Sequence, residues 1–179
     1  MNICVYGAAN NEIDVSFIKA GEELGALMAK KGHTLVFGGG ATGMMGAVAR
    51  GMKKLGGKII GITPEFFNVD GVLFKECTEM IYTLDMRSRK EKLEDMADAF
   101  IITPGGIGTM DEFFETIVLK QLKIFDKPLI IYNINGFYDN LISLLENSAE
   151  KNFLYKEDLS LYYVSNDVNK ILEYLKECR

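Results

Sequence analysis

Residues 103–115, TPGGIGTMDEFFE, set two adjacent glycines, a third glycine, a threonine and three carboxylates where an apolar run gives way to an amphipathic one. A plain turn uses one glycine or two, so the surplus predicts that a bound group comes close to the backbone here. The N–H groups at the start of the following helix form a cradle for one phosphate, and Thr109 can add its hydroxyl. Asp111 and Glu115 read as acids favoured by the helix N-terminus, a gain of about 0.3–1 kcal/mol each. Glu112 is different. It lies just past the glycines, where a carboxylate repels a phosphate ligand unless it serves the chemistry. The converse anomaly is DMRSRKEKLEDM, residues 85–96, where Arg87, Arg89 and Lys90 crowd a helix start, the end that disfavours positive charge. An anion would gather them there; Glu91, Glu94 and Asp95 could pair along the helix with two of the three.

A second small-residue loop, FGGGATGMMG at 37–46, satisfies the GxGxxG pattern literally through Gly38, Gly40 and Gly43. A dinucleotide fingerprint follows the first strand and is answered by an acid ending the next one; this loop follows the second apparent strand, and KIIGITP carries no acid. Close packing of a helix on a strand remains open beside phosphate binding. Neither loop carries the lysine of a Walker motif. Two cradles on one sheet edge would hold a phosphate and its neighbouring sugar, which suits a mononucleotide or a sugar phosphate.

The elements that must position these loops alternate. Apolar runs at 2–6, 34–38, 58–62, 80–84, 99–103, 128–133 and 161–165 read as strands buried on both faces. Between them, helical periodicity predicts helices from Phe17 to a stop at Gly32, then over 43–55, 86–97, 108–125, 138–151 and 168–178. The order predicts an α/β, Rossmann-like doubly wound parallel sheet of six to seven strands with helices on both faces. Ligands of such sheets lie beyond the carboxyl ends of the strands, so the loops at 6–11, 37–46 and 103–109 matter most.

At 179 residues the chain is expected to form a single domain, 1–179. A net charge of -5 argues against a nucleic-acid surface. No leader pattern opens the chain and no apolar run approaches the ~20 residues of a membrane span, so the expectation is a cytoplasmic protein with no membrane partner. Cys4, Cys77 and Cys178 form no ligand pair, and no cysteine or second histidine stands at ligand spacing from the single histidine, His33. Neither a metal site nor a histidine-based triad is expected.

PGGIGTMDE at 104–112 fits Pro-Gly-Gly-x-Gly-Thr-x-x-Glu, and MRSRK at 86–90 fits Met-x-x-Arg-Lys. With GGGATGMMGAVA (38–49) and FDKPLIIYNINGFYDNLI (125–142), the chain resembles the LOG family, the cytokinin riboside 5′-monophosphate phosphoribohydrolases, long labelled possible lysine decarboxylases. The resemblance implies hydrolysis of the N-glycosidic bond of an adenine nucleoside 5′-monophosphate, with or without an N6-prenyl group, to free base and ribose 5-phosphate. It implies no cofactor. By analogy Arg89 and Glu112 are catalytic. Lys90 and residues Gly106, Ile107, Gly108 and Thr109 would contact the nucleotide, and Met86, Gly105, Gly39 and Gly40 complete the expected binding set. Arg89, always charged, suits a positioner or electrostatic stabiliser rather than a base. A carboxylate near C1′ stabilises an oxocarbenium-like state, which suits Glu112.

The family's first loop commonly reads Cys-Gly-Ser-Ser, whereas Gly7, Ala8, Ala9 and Asn10 stand here; Arg87 replaces a common histidine and Val118 a threonine of plant members. These departures bear on the preferred base. Asp70 and Glu76 are candidates for a further substrate-contacting acid. Two other functions compete: a nucleotide- or molybdenum-cofactor-binding module without turnover, which would not need Glu112 with Arg89, and a pyridoxal decarboxylase using Lys90. The methionine-rich run at 43–52 and the apolar helix at 113–125 predict a homodimer.

Overall fold

The computed structural model describes residues 1–178; Arg179, the last residue of the expected domain, lies outside the described residues. Strands β1 (Asn2–Tyr6), β2 (Thr34–Phe37), β3 (Ile59–Pro64), β4 (Glu79–Thr83), β5 (Ala99–Ile102), β6 (Leu129–Tyr132) and β7 (Tyr163–Ser165) alternate with helices α1 (Val15–Lys30), α2 (Gly43–Lys54), α3 (Met86–Met96), α4 (Ile107–Gln121), α5 (Asp139–Glu150) and α6 (Val168–Glu177), except that a loop joins β3 to β4. The strands form one sheet in the order β4-β3-β2-β1-β5-β6-β7. Every pairing is parallel, and the centre is fixed by Cys4 standing beside Val36 on one side and Phe100 on the other.

The pleat sorts the strand residues between two cores. Ile3, Val5, Leu35, Phe37 and Ile101 pack with Leu24, Met28, Met44, Met52 and Ile171 from α1, α2 and α6. Cys4, Tyr6, Val36, Phe100 and Ile102 pack on the other face with Leu93, Phe113 and Leu145 from α3, α4 and α5. Both faces are covered, so the strands read as continuous apolar runs rather than alternating ones. From β1 the chain winds outward to β4, returns through α3, and lays β5 against the other side of β1 before winding away to β7. The switch point therefore falls between β1 and β5.

Most boundaries fall within two residues of expectation, and a few of the differences matter. β3 runs on to Pro64, which brings Thr63 into the strand, and β7 begins at Tyr163 rather than 161. α4 ends at Gln121 rather than near 125 because Lys123 takes a left-handed conformation with φ 59°. The N–H of Ile124 donates to the Leu119 carbonyl and that of Lys123 to the Lys120 carbonyl, a Schellman closure made without glycine.

Candidate functional site

The loops after β2, β1 and β5 are neighbours in space because those three strands are neighbours in the sheet. They enclose a cavity of about 450 Å³. Gly7, Ala8 and Ala9 line it from the β1 loop, Gly38, Gly40, Thr42 and Met45 from the β2 side, and Gly106, Gly108, Thr109, Asp111 and Glu112 from the start of α4. Met86 and Arg89 of α3 close one side; Thr63, Phe67, Val72 and Leu73 close the end beyond β3.

Backbone bonds hold the loops together. The Ala8 N–H donates to the Pro104 carbonyl (3.1 Å), and the Met45 N–H donates to the Ala8 carbonyl (3.2 Å). The Thr103 hydroxyl donates to the Tyr6 carbonyl and the Tyr138 hydroxyl to the Thr103 carbonyl, each at 2.7 Å, fixing the end of β5 from which α4 begins.

The helix starts are closed in different ways. Asp14, Asp85 and Asp167 cap α1, α3 and α6 with their side chains. α2, α4 and α5 have no side chain of their N-cap residue bonded to them, and of these α2 and α4 start on the cavity wall. The Gly43 N–H of α2 donates to Asn11 Oδ1 at 3.2 Å, whereas no side chain meets the start of α4. A Cβ placed on Gly106 or Gly108 would meet nothing within 4 Å, so the backbone there is open to a ligand. Uncapped N–H groups beside open space are what an anion-binding helix start provides.

The β2 loop serves two purposes. At Gly43 (φ 60°) and Gly46 a Cβ would strike the Ala8 and Ala41 carbonyls, so these glycines permit close backbone approach. A Cβ at Gly38 would overlap the Arg89 guanidinium.

Arg89 Nη1 donates to Glu112 Oε1 at 2.8 Å, and both side chains are only 9% exposed. Burial pushes the Glu112 carboxyl above its usual range while the Arg89 charge and hydrogen bond oppose the rise. The guanidinium thus opposes protonation of a desolvated carboxyl on the cavity wall. Lys90, one residue on, is not on the cavity wall; its ammonium bonds Asp111 at 3.1 Å and also Glu115, and these bonds, Glu115 first, raise its pKa. Arg89 and Lys90 therefore pair across to α4 rather than along α3.

Of the expected contact residues, Met86, Arg89, Gly40, Gly106, Gly108, Thr109 and Glu112 lie on the cavity wall. Gly39, Lys90, Gly105 and Ile107 do not: Gly39 packs toward Met80 and Leu73, Gly105 packs against Thr109, and Ile107 points to solvent. Asp70 pairs with Lys75 (3.3 Å) and Glu76 with Lys53 (3.2 Å), and neither reaches this cavity. Sequence reasoning passed over Thr63, Phe67, Gly71, Val72 and Leu73. The adjacent Phe66 and Phe67 in a loop after a strand were the one local signal available for that end.

A Rossmann-like sheet with a cavity at its switch point defines the class. The chain belongs to the LOG family, and the family model described as "possible lysine decarboxylase" matches residues 45–175. A probable cytokinin riboside 5′-monophosphate phosphoribohydrolase of Oryza sativa subsp. japonica is 32% identical over 175 residues, 98% of this chain and 76% of the relative. A cytokinin riboside 5′-monophosphate phosphoribohydrolase of Arabidopsis thaliana is 34% identical over 152 residues, 85% of this chain and 71% of that protein. Among solved structures, the molybdenum cofactor binding protein of Rippkaea orientalis superposes with a TM-score of 0.73 at 21% identity, covering 99% of this chain and 94% of that one. The Moco carrier protein of Chlamydomonas reinhardtii gives 0.73 at 21% identity over 98% and 95%. These two structures share the fold.

Proposed function

We propose that the protein hydrolyses the N-glycosidic bond of adenine nucleoside 5′-monophosphates, AMP or an N6-prenylated AMP, to free base and ribose 5-phosphate. The observation that carries this reading is the buried Arg89–Glu112 pair set beside the open, uncapped start of α4. With phosphate on the N–H groups of α4, the ribose lies toward Glu112 and the base toward β3. The C1′–N bond breaks with its electron pair leaving on the base; water adds to C1′, and the proton it loses balances the one the base gains. Glu112 supplies negative charge beside the oxocarbenium-like centre. Arg89 holds that carboxyl in place and opposes its protonation. A module that only bound nucleotide would gain nothing from a buried carboxylate near its phosphate.

The test is release of adenine and ribose 5-phosphate from AMP. Glu112→Gln should lower kcat about 10²–10³-fold while nucleotide still binds, since the lost interaction is made in the transition state. Adenosine should be a poor substrate, because the α4 cradle would hold nothing. Binding of AMP with no base released from any adenine nucleotide would instead support a carrier or sensor.

We also propose that the protein is a homodimer. The methionine-rich run at 43–52 does not support this, because Met44 and Met52 are fully buried in the molecule's own core. The support comes from α4, where Phe114, Val118 and Leu122 recur at helical spacing and are exposed.

A further inference from the structure

The Thr63 side chain has no evident role in holding the fold together. It is 1% exposed, sits near the end of β3, and its hydroxyl has no hydrogen-bond partner. Buried hydroxyls are nearly always paired, because an unpaired one keeps the full cost of leaving water. Two other buried threonines obey that rule: Thr103 donates to the Tyr6 carbonyl and Thr116 to the Glu112 carbonyl, both at 2.7 Å. A valine of the same shape would suit an apolar strand better than Thr63 does.

Thr63 lines the cavity. Its strand stands three places from β5 in the sheet, a separation of about 14 Å at ordinary strand spacing. The uncapped start of α4 follows β5. That separation matches the reach of a nucleoside monophosphate from its phosphate to the far edge of its base. The surrounding wall is apolar, with Met45, Phe67, Val72 and Leu73. Main-chain groups at this end are already used, since the Ala41 N–H donates to the Val72 carbonyl and the Phe74 N–H to the Gly39 carbonyl. An apolar pocket with one unengaged hydroxyl fixes an aromatic ring by its body and reads it by its edge.

We infer that the Thr63 hydroxyl is a base-reading contact, hydrogen-bonding the exocyclic group on the edge of the bound nucleobase and setting which bases the site accepts. This rests on the nucleotide reading of the cavity. Ligand binding supplies the partner that the hydroxyl lacks, so the contact favours the bound state while leaving the free protein less stable than an isosteric variant would be.

The experiment compares wild type, Thr63→Val and Thr63→Ser on three ligands: AMP, purine riboside 5′-monophosphate, which has no exocyclic amino group, and 2′-deoxy-AMP. The wild type should favour AMP over purine riboside 5′-monophosphate, and Thr63→Val should reduce that preference by roughly two- to tenfold, the worth of one neutral hydrogen bond. Comparing the ratio between enzymes cancels the intrinsic difference between leaving groups. Thr63→Ser should keep the preference, and ligand-free Thr63→Val should melt no lower than wild type. An unchanged ratio overturns the inference, as does an equal loss on both ligands. So does a loss confined to discrimination against 2′-deoxy-AMP, which would put the hydroxyl on the ribose. Calorimetric dissociation constants give the same ratios without turnover, so failure to hydrolyse AMP would defeat the proposed reaction and still leave Thr63 decided.

Discussion

Arg89 is held by what is missing opposite it. Gly38 leaves the space that the guanidinium fills, so Gly38→Ala should push Arg89 off Glu112 while the sheet beneath stays intact. A displacement of about 1 Å can cost ~10² in rate, and the expected outcome is a loss of that order in kcat/KM with an unchanged circular dichroism spectrum. The same pair predicts a pH effect. Burial raises the Glu112 pKa, so the acid limb of kcat/KM should fall at a higher pH than an ordinary glutamate would give. Arg89→Gln removes the opposing charge and should move that limb further up. Glu112 and Arg89 were legible in the sequence because each is an electrostatic anomaly in its own helix. Their partnership was not, since it joins residues 23 apart through a turn of the chain that no local pattern describes. Thr63 was invisible for the opposite reason: a β-branched residue in an apolar strand looks like any other.

At the scale of elements, α3 and α4 are joined by Lys90, which bonds Asp111 and Glu115, and α3 is started by Asp85, which accepts the Ser88 N–H at 2.8 Å. Asp85→Ala should lower the urea midpoint, because the Ser88 N–H loses its cap. The end of α4 offers a gain. Lys123 holds a left-handed backbone that a side chain disfavours, and Lys123→Gly should raise stability by about 1 kcal/mol. The seven strands and six helices of the described residues were legible because apolar runs and helical periods alternate along the chain, and Gly32 marks the end of the first helix. The α4 boundary was not, because a lysine stands where a glycine usually closes a helix and the apolar period of Phe113, Ile117 and Ile124 carries on past it.

The whole molecule answers to pH through Glu94, which lies on α3. Burial pushes its carboxyl up to about 7, helped by the charges of Glu115 and Asp95 and opposed by Lys90 and Lys127. Between the ordinary value of 4.5 and about 7, the folded protein keeps a proton that the unfolded chain has lost, so stability should fall as pH rises through that window. Glu94→Gln should flatten this slope, melting higher than wild type at pH 8 and equally at pH 4. Association is the other property of the whole: light scattering at micromolar concentration should give a dimer mass, and Val118→Asp on the exposed stripe of α4 should halve it.

The winding of the sheet also dictates when the protein comes to life during folding. Arg89 belongs to the stretch that ends with the return from β4, and Glu112 to the stretch that begins with β5. Neither stretch contains a working site. Both are brought together only when β5 docks on β1, a contact between segments nearly a hundred residues apart in sequence, whose loop-closure entropy makes it late to form. In a refolding experiment, helical signal should therefore return before base release does. A chain interrupted before β5 would be structured in part and catalytically silent.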